Sequence, residues 1–457
     1  MKTKVTAIFD IGKTNKKFFL FDKHFREVYR EYRIFEEIQD EDGFPCEDIA
    51  ALEKWIIEIL NKILKNKKYR VKALNFSSYG ASLVHLDSQG KVLTPLYNYL
   101  KPLAPELITS FYKKYGPEDE FSSKTGSPNS GMLNSGMQLY WLKHSNPGVF
   151  KKIRFSLHLP QYLSYIFTGI PLSEFTSIGC HTALWDYKKK DYHDWVYKEN
   201  IHKILAPIVS TETSINTKWN EKNIKIGAGI HDSSAALLPY LKSVKNPFLL
   251  VSTGTWSITL NPFPNRTATK NDLGENYLNY MRIDGKPIKA SRLFLGNEYQ
   301  LQVQKLASHF KVTEDYHKTV RFDIAIYLKI GKNFSHIFKW ESIAAKNEAT
   351  AIKIPYLSFE EAYHHLMIEL VMLQIESMQT AQGKSMIKTV FVDGGFAGNE
   401  IFVKLLAHSL RNIKIKTADS SMGAALGAAI CVSDIKLNAQ FLKKNYSLKK
   451  QKPFPLT

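Results

Sequence analysis

Residues 5–21 read Val5-Thr6-Ala7-Ile8-Phe9-Asp10-Ile11-Gly12-Lys13-Thr14-Asn15-Lys16-Lys17-Phe18-Phe19-Leu20-Phe21, and this run decides the fold. An apolar strand, Val5 to Ile11, enters a polar turn, Gly12 to Lys16, and a second apolar strand, Lys17 to Phe21, leaves it. Two apolar runs joined by a short Gly- and Asn-containing turn predict a β-hairpin. The pattern recurs at 246–261. There Phe248 to Ser252 is a strand, Thr253-Gly254-Thr255 a tight turn, and Trp256 to Leu260 a second strand. One strand–turn–strand unit at the start of each half predicts a duplicated architecture.

Outward from the first hairpin, Glu47 to Leu64 reads as a helix. Ile49, Leu52, Ile56, Ile59 and Ile63 fall on one face at helical spacing. Val71 to Phe76 is another strand, and strands alternating with helices of this length predict an α/β fold. Residues 100–225 are rich in aromatics and read as helices and loops. Ser358 and Glu361 form a capping box that opens a long helix carrying Leu366, Leu370, Leu373 and Met378 and stopping near Gly383. A strand, Lys388 to Asp393, runs into Gly394-Gly395. The last helix, expected from about Ser421, is built of small residues: Gly423, Ala424, Ala425, Gly427, Ala428 and Ala429. Small residues let a helix approach a neighbour or a ligand closely.

The 457 residues suit two domains of roughly 200 each, expected at 1–240 and 241–457. An apolar fraction of 44% and a charged fraction of 23% are those of a soluble globular chain. No run reaches the roughly 18 apolar residues of a membrane span. The opening MKTKVTAIFD has no signal-peptide core, because Asp10 interrupts it. Cys46, Cys180 and Cys431 lie far apart, which suggests neither a disulfide framework nor a CxxC metal site. A reducing cytoplasm is the expected compartment. The net charge of +19 is spread along the chain, densest at Lys65–Lys68 and Lys443–Lys452. No nucleic-acid-binding motif accompanies it, so a solvated surface is expected and neither nucleic acid nor membrane is. The charge would still attract a polyphosphate.

Four stretches carry candidate chemistry. In Asp10 to Lys17, Gly12 lets backbone amides face an anion, while Thr14, Asn15 and Lys17 add donors and positive charge. Asp10 suits a water of a Mg²⁺ ion, which takes few carboxylates and several waters. The spacing is not that of a P-loop. Thr253 to Ser257 offers a second anion turn through Gly254 and Thr255. In Gly227 to Ser233, glycines place Asp232 where it would accept a hydroxyl proton during phosphoryl transfer. His231 beside it would be a pocket donor or a structural histidine. In Asp393 to Asn399, Gly394 and Gly395 let a flat base approach the backbone. Taken singly, each stretch also reads as an ordinary turn.

In this order the four stretches resemble the FGGY family of carbohydrate kinases, over nearly the whole chain. The resemblance implies two actin-like (ribonuclease H-like) α/β domains around a central cleft. It implies ATP and Mg²⁺ as cofactors, a sugar as substrate, and a homodimer as a common state. It assigns Asp10 to Mg²⁺ and Asp232 to general-base catalysis. It assigns Gly12, Thr14, Asn15, Lys17, Gly254, Thr255, Gly394, Gly395 and Asn399 to ATP. HDSSAA, STGTWSITL and LPQYLSY with FTG are similar to segments of L-rhamnulose and L-fuculose kinases, which implies a small ketose. Ser77-Ser78-Tyr79-Gly80 resembles their sugar-side strand. It assigns Ser78, Tyr79, Gly80, Ser82, His231 and Asp232 to the sugar. Lys13, Gln161, Ser82, His181 and Thr182 depart from the pattern, mostly on the sugar side. The alternatives are a xylulose, ribulose, glycerol or autoinducer kinase of the same family, and an actin- or Hsp70-like ATP-binding protein without sugar transfer.

Overall fold

Buried apolar side chains along Val5–Ile11 and Phe18–Phe21 draw these segments together as the centre of a sheet. The computed structural model describes residues 2–264, 277–343, 354–418 and 422–455. β1 (Thr3–Ile11) pairs antiparallel with β2 (Lys16–Asp22), setting Asp10 opposite Lys17 and Ile11 opposite Lys16. β3 (Glu27–Arg33) extends the pair along β2. β4 (Glu37–Gln39) and β5 (Pro45–Glu47) form a separate short antiparallel ribbon. Helix α1 (Ile49–Lys65) follows, and β6 (Tyr69–Ser78) then joins β1 in parallel.

α1 starts two residues later than the periodicity predicts. Glu47 belongs to β5, and the Asp48 side chain caps the helix by accepting from Ala51 N at 2.9 Å. A side-chain cap satisfies an otherwise orphaned helical N–H, so it defines the start more sharply than apolar spacing does. The buried face of α1 includes Leu52, Trp55, Ile56, Ile59 and Ile63. Trp55 meets Phe9 edge-on at 5.4 Å, and Phe9 packs on Phe18 at 4.7 Å. Burial of each such side chain contributes about 1.5–3 kcal/mol.

The chain divides into two compact units. The first comprises Met1–Val244, Arg266–Ile288 and Met422–Ala439; the second comprises Lys245–Asn265, Lys289–Ser421 and Gln440–Thr457. The sheet of the first unit runs Ser214–Trp219, Lys222–Gly227, β6, β1, β2, β3, with Ile230–His231 also pairing β6. In the second unit, residues 289–293 pair with Ser257–Asn261, which pairs with Phe248–Thr253. Next come Thr389–Gly394, Lys414–Thr417 and Lys449–Lys450. Each sheet therefore sets the first strand of a hairpin between its antiparallel partner and a parallel strand from farther along the chain. The duplication read from the two hairpins extends to the whole sheet order.

Two helices show how local chemistry sets element ends. Phe359–Gln382 is capped by the Ser358 hydroxyl, which accepts from Glu361 N at 3.3 Å, and it stops at Gly383. It anchors the second hairpin through Gln374, whose Oε1 accepts from Ser257 Oγ at 2.6 Å. The small-residue helix is described over Gly423–Cys431, and its expected start at Ser421 lies outside the described residues. It packs on the helix Asp232–Ser243. A Cβ at Gly427 would collide with the Ala235 carbonyl oxygen, so this approach requires glycine. Among the described residues no helix is long and apolar enough to cross a membrane. Cys46, Cys180 and Cys431 are buried and free.

Candidate functional site

In the first unit, three parallel strands end side by side. Asp10 and Ile11 at the end of β1 register with Ser77 and Ser78 of β6. Ile230 and His231 pair with the same two serines from the other side. Asp232 follows at once as the first residue of the helix Asp232–Ser243. The carboxyl ends of parallel strands are where α/β folds present side chains to ligands, and here they bring Asp10, Gly80, His231 and Asp232 together.

The electrostatics of this edge are unusual. Burial pushes the Asp232 carboxyl from its ordinary 3.8 up to about 6, against donation from the Ser233 backbone N–H and hydroxyl. Those donors lie 2.5 and 3.2 Å from Oδ1. One third of the Asp232 side chain remains exposed, so the carboxyl is recessed and still reachable. Burial likewise pushes Asp10 up to about 6; Lys17 opposes this and the charge of Asp232 adds to it. The Lys17 ammonium is 4.0 Å from Asp10 Oδ2. Asp10 thus offers hard oxygen donors near a second negative charge with only partial compensation, a setting that fits Mg²⁺.

His231 is buried, and burial pushes it down to about 3, so it is neutral. Its Nε2 lies 3.2 Å from Asp232 Oδ1 and 3.1 Å from Cys180 Sγ. Its backbone N–H donates to Thr176 Oγ1 at 3.0 Å. A Cβ at Gly80 would stand 2.9 Å from Cys180 Sγ and 3.0 Å from His231 Nε2, so only glycine leaves this histidine its place. The other expected sugar-side residues turn inward. Ser78 is buried and donates to Tyr79 O at 3.0 Å, Ser82 is buried, and the Tyr79 hydroxyl donates to Glu47 Oε1 at 2.7 Å. Gln161 is buried, with Nε2 donating to Ala228 O at 3.3 Å.

The first turn keeps a tight shape, with Gly12 N donating to Asn15 O at 3.0 Å, and it exposes Thr14 and Asn15. Lys13 faces away from the tip and pairs with Glu37 at 2.7 Å.

The second unit holds a cleft of about 320 Å³. Its walls include Gly254, Thr255, Gly395 and Asn399, four of the residues the sequence assigned to ATP. Thr253 links the two turns that carry them: its hydroxyl donates to Asp393 O at 2.6 Å and accepts from Phe396 N at 3.1 Å. Gly394 sits at the strand end opposite Thr253. The remaining walls, Gly296, Tyr299, Gln300, His317 and Phe396, were not singled out by the sequence. The ring of Tyr299 lies 5.1 Å from that of Phe396. Asn399 donates to Tyr363 Oη at 3.0 Å, and Tyr363 and Tyr299 hydroxyls meet at 2.8 Å. An aromatic wall beside glycines accommodates a flat heterocycle. Phe396 lies within the Asp393–Asn399 stretch, and Leu295-Gly296-Asn297-Glu298, a glycine at a helix start, is the kind of signal that could have found Gly296.

Comparison with known proteins bears on the family and the fold. Residues 5–238 match the family model for the N-terminal domain of the FGGY family of carbohydrate kinases, and residues 245–440 match the FGGY C-terminal domain. A rhamnulokinase of Halalkalibacterium halodurans is 25% identical over 276 residues, 56% of this chain and 54% of the relative. The match thus spans about half that relative's length. A rhamnulokinase of Oceanobacillus iheyensis is 22% identical over 452 residues, 91% of each chain. A solved carbohydrate kinase from Novosphingobium aromaticivorans superposes with a TM-score of 0.83 at 22% identity, covering 100% of this chain and 96% of that one. A xylulose kinase from Lactobacillus acidophilus superposes with a TM-score of 0.77 at 16% identity, covering 99% and 94%.

Proposed function

The chain belongs to the FGGY family of carbohydrate kinases, and from that premise we propose that it transfers a phosphoryl group from ATP to a hydroxyl of a small ketose. The observation that carries the reading is Asp232: a recessed, reachable carboxyl at the meeting of three parallel strand ends, with its pKa raised to about 6. A base poised near neutrality is ionised at working pH and still takes up a proton readily.

In this reading Asp232 accepts the proton of the attacking sugar hydroxyl. Its own carboxyl is oriented at Oδ1 by the Ser233 donors and by neutral His231. Gly80, lacking a Cβ, lets the chain pass close against His231 and Cys180 and leaves His231 its place beside Asp232. The exposed turn residues Thr14 and Asn15, with Gly12 and Lys17, serve the phosphates in the first unit. In the second unit Gly254 and Thr255 serve the phosphates as well, while Gly395 and Asn399, beside the aromatic wall of Tyr299 and Phe396, receive the adenosine together with Gly394 at the strand end opposite Thr253. Asp10 would hold Mg²⁺ through a coordinated water. The ion, when bound, supplies charge neutralisation on the phosphate oxygens. Three free, buried cysteines suit a reducing cytoplasm.

The favoured substrates are 6-deoxy-ketohexoses such as L-rhamnulose or L-fuculose, on the strength of the relatives named rhamnulokinase. Xylulose is the second reading, supported by the shared fold of a xylulose kinase. The test is ADP release by the purified protein with MgATP, measured against a panel of ketoses, pentuloses and polyols. A single sugar is expected to accelerate release far above the basal rate. ATP hydrolysis unmoved by every sugar would refute sugar transfer and favour a non-transferring ATPase.

A further inference from the structure

Glu47 ends β5 with only 6% of its surface exposed, and three donors converge on its carboxylate. Lys16 Nζ lies 2.8 Å from Oε2 and Lys13 Nζ 3.5 Å from Oε1. The Tyr79 hydroxyl donates to Oε1 at 2.7 Å. Lys16 also donates to the Lys13 carbonyl at 2.7 Å, so one ammonium holds both sides of the first turn. Lys13 has a second carboxylate, Glu37 at 2.7 Å, which faces Glu47 across the β4–β5 ribbon. Two lysines from the turn thus meet two glutamates from the ribbon, and the inner pair is nearly dry: the Lys16 side chain is 3% exposed and that of Glu47 is 7% exposed.

We propose that Glu47 is the positioning residue of the first phosphate turn. It holds Gly12–Lys16 in its anion-receiving shape and ties that turn to Tyr79, the residue after β6. The role rests on the ATP-binding reading of the turn given above. The physical reason is the Lys16 ammonium. A buried cation needs a counter-charge, and removing one partner of a buried pair leaves the other uncompensated. Without the Glu47 carboxylate, Lys16 is better solvated outside. Moving it there releases the Lys13 carbonyl and the Ile11–Lys16 ladder pair that frame the turn. The same network explains the lysine that departs from the family pattern. Lys13 is neutralised by two carboxylates, so it braces the turn from behind and leaves Thr14 and Asn15 at the tip to meet the anion.

The test compares the unmodified protein with Glu47→Gln and with the double variant Glu47→Gln/Lys16→Met, which removes both charges of the inner pair. Amide hydrogen exchange is read over residues 12–16 without ligand, and calorimetry reads the affinity for a non-hydrolysable ATP analogue with Mg²⁺. Glu47→Gln is expected to speed exchange in the turn by about tenfold or more while the rest of the first unit keeps its protection. It is also expected to weaken analogue binding by about tenfold, and the double variant to recover to within about threefold. Turn exchange within about twofold of the unmodified protein would overturn the proposal. So would uniform loss of protection across the unit, which is the signature of a purely structural role. Unchanged analogue affinity despite a loosened turn would overturn it too. The exchange measurement contains no nucleotide and no sugar, so it judges Glu47 whether or not the kinase reading holds.

Discussion

Asp232→Asn should make the protein more stable and nearly inactive at the same time. The carboxyl titrates near 3.8 in an unstructured chain and at about 6 in the folded one, a gap of about 2 units. At about 1.36 kcal/mol per unit the gap corresponds to roughly 3 kcal/mol. One third of the side chain reaches solvent, so screening reduces this to about 1–1.5 kcal/mol. The sign follows from proton counting. Between about pH 4 and 6 the folded state keeps a proton that the unfolded state has lost, so stability falls as pH rises through that window and stays lower above it. Asparagine has no such titration, and its side-chain oxygen can still accept from the Ser233 N–H. The two proteins should therefore melt together near pH 4. By pH 7.5 the variant should melt higher by roughly 1–2 °C. Turnover of the cognate sugar should fall by about 10²-fold or more, the loss expected when a general base is removed. Melting curves from pH 4 to 8 and a coupled ADP assay read both effects. A variant that melts below the parent at pH 7.5, or that turns over within about tenfold of it, would refute the reasoning.

Other substitutions probe other parts of the structure. Gly427→Val should wedge the small-residue helix away from the helix that begins with Asp232, costing about 1–3 kcal/mol in a denaturant melt and lowering kcat. Phe396→Ala, in the second-unit cleft, should raise the KM for ATP by roughly tenfold with little change in the KM for sugar; equal changes in both would contradict the assignment of that cleft to the nucleotide. Glu199→Gln should destabilise the protein by about 1–3 kcal/mol at pH 7, because the nearly buried carboxylate meets Lys114 at 2.8 Å and also Lys143 and Tyr115, while both lysines keep access to solvent. Burial acts against those partners, and hydrogen bonds from Lys114, Lys143 and Tyr115 still hold Glu199 down to about 2. Its contribution is therefore present above about pH 4.5 and should vanish as pH falls toward 2, so the two proteins should converge in acid melts.

Much of this was legible in the chain because it depends on neighbours in sequence. The hairpins at 5–21 and 246–261 rest on apolar runs around Gly-containing turns, and both form where those runs place them. The Ser358 cap and the Gly383 stop are one-turn chemistry, and they bound the long helix as expected. α1 starts at Ile49 and not at Glu47 because the Asp48 side chain caps it, a contact that apolar spacing does not register. Lys13 could not be interpreted from its position in the turn, because the carboxylates that neutralise it lie 24 and 34 residues further along.

Taken alone, the sequence determined which segments form the hairpins and the main helices, the repetition of the hairpin, and which acids and glycines were candidates for chemistry. These follow from local propensity and pattern, which need only a few residues of context. Tertiary structure alone decided which carboxyls are perturbed, that Tyr79 spends its hydroxyl on Glu47, and that Tyr299 and Phe396 share one wall. Desolvation and pairing depend on groups brought together from distant parts of the chain, and no local pattern records how deeply a side chain will be buried or what charge will face it.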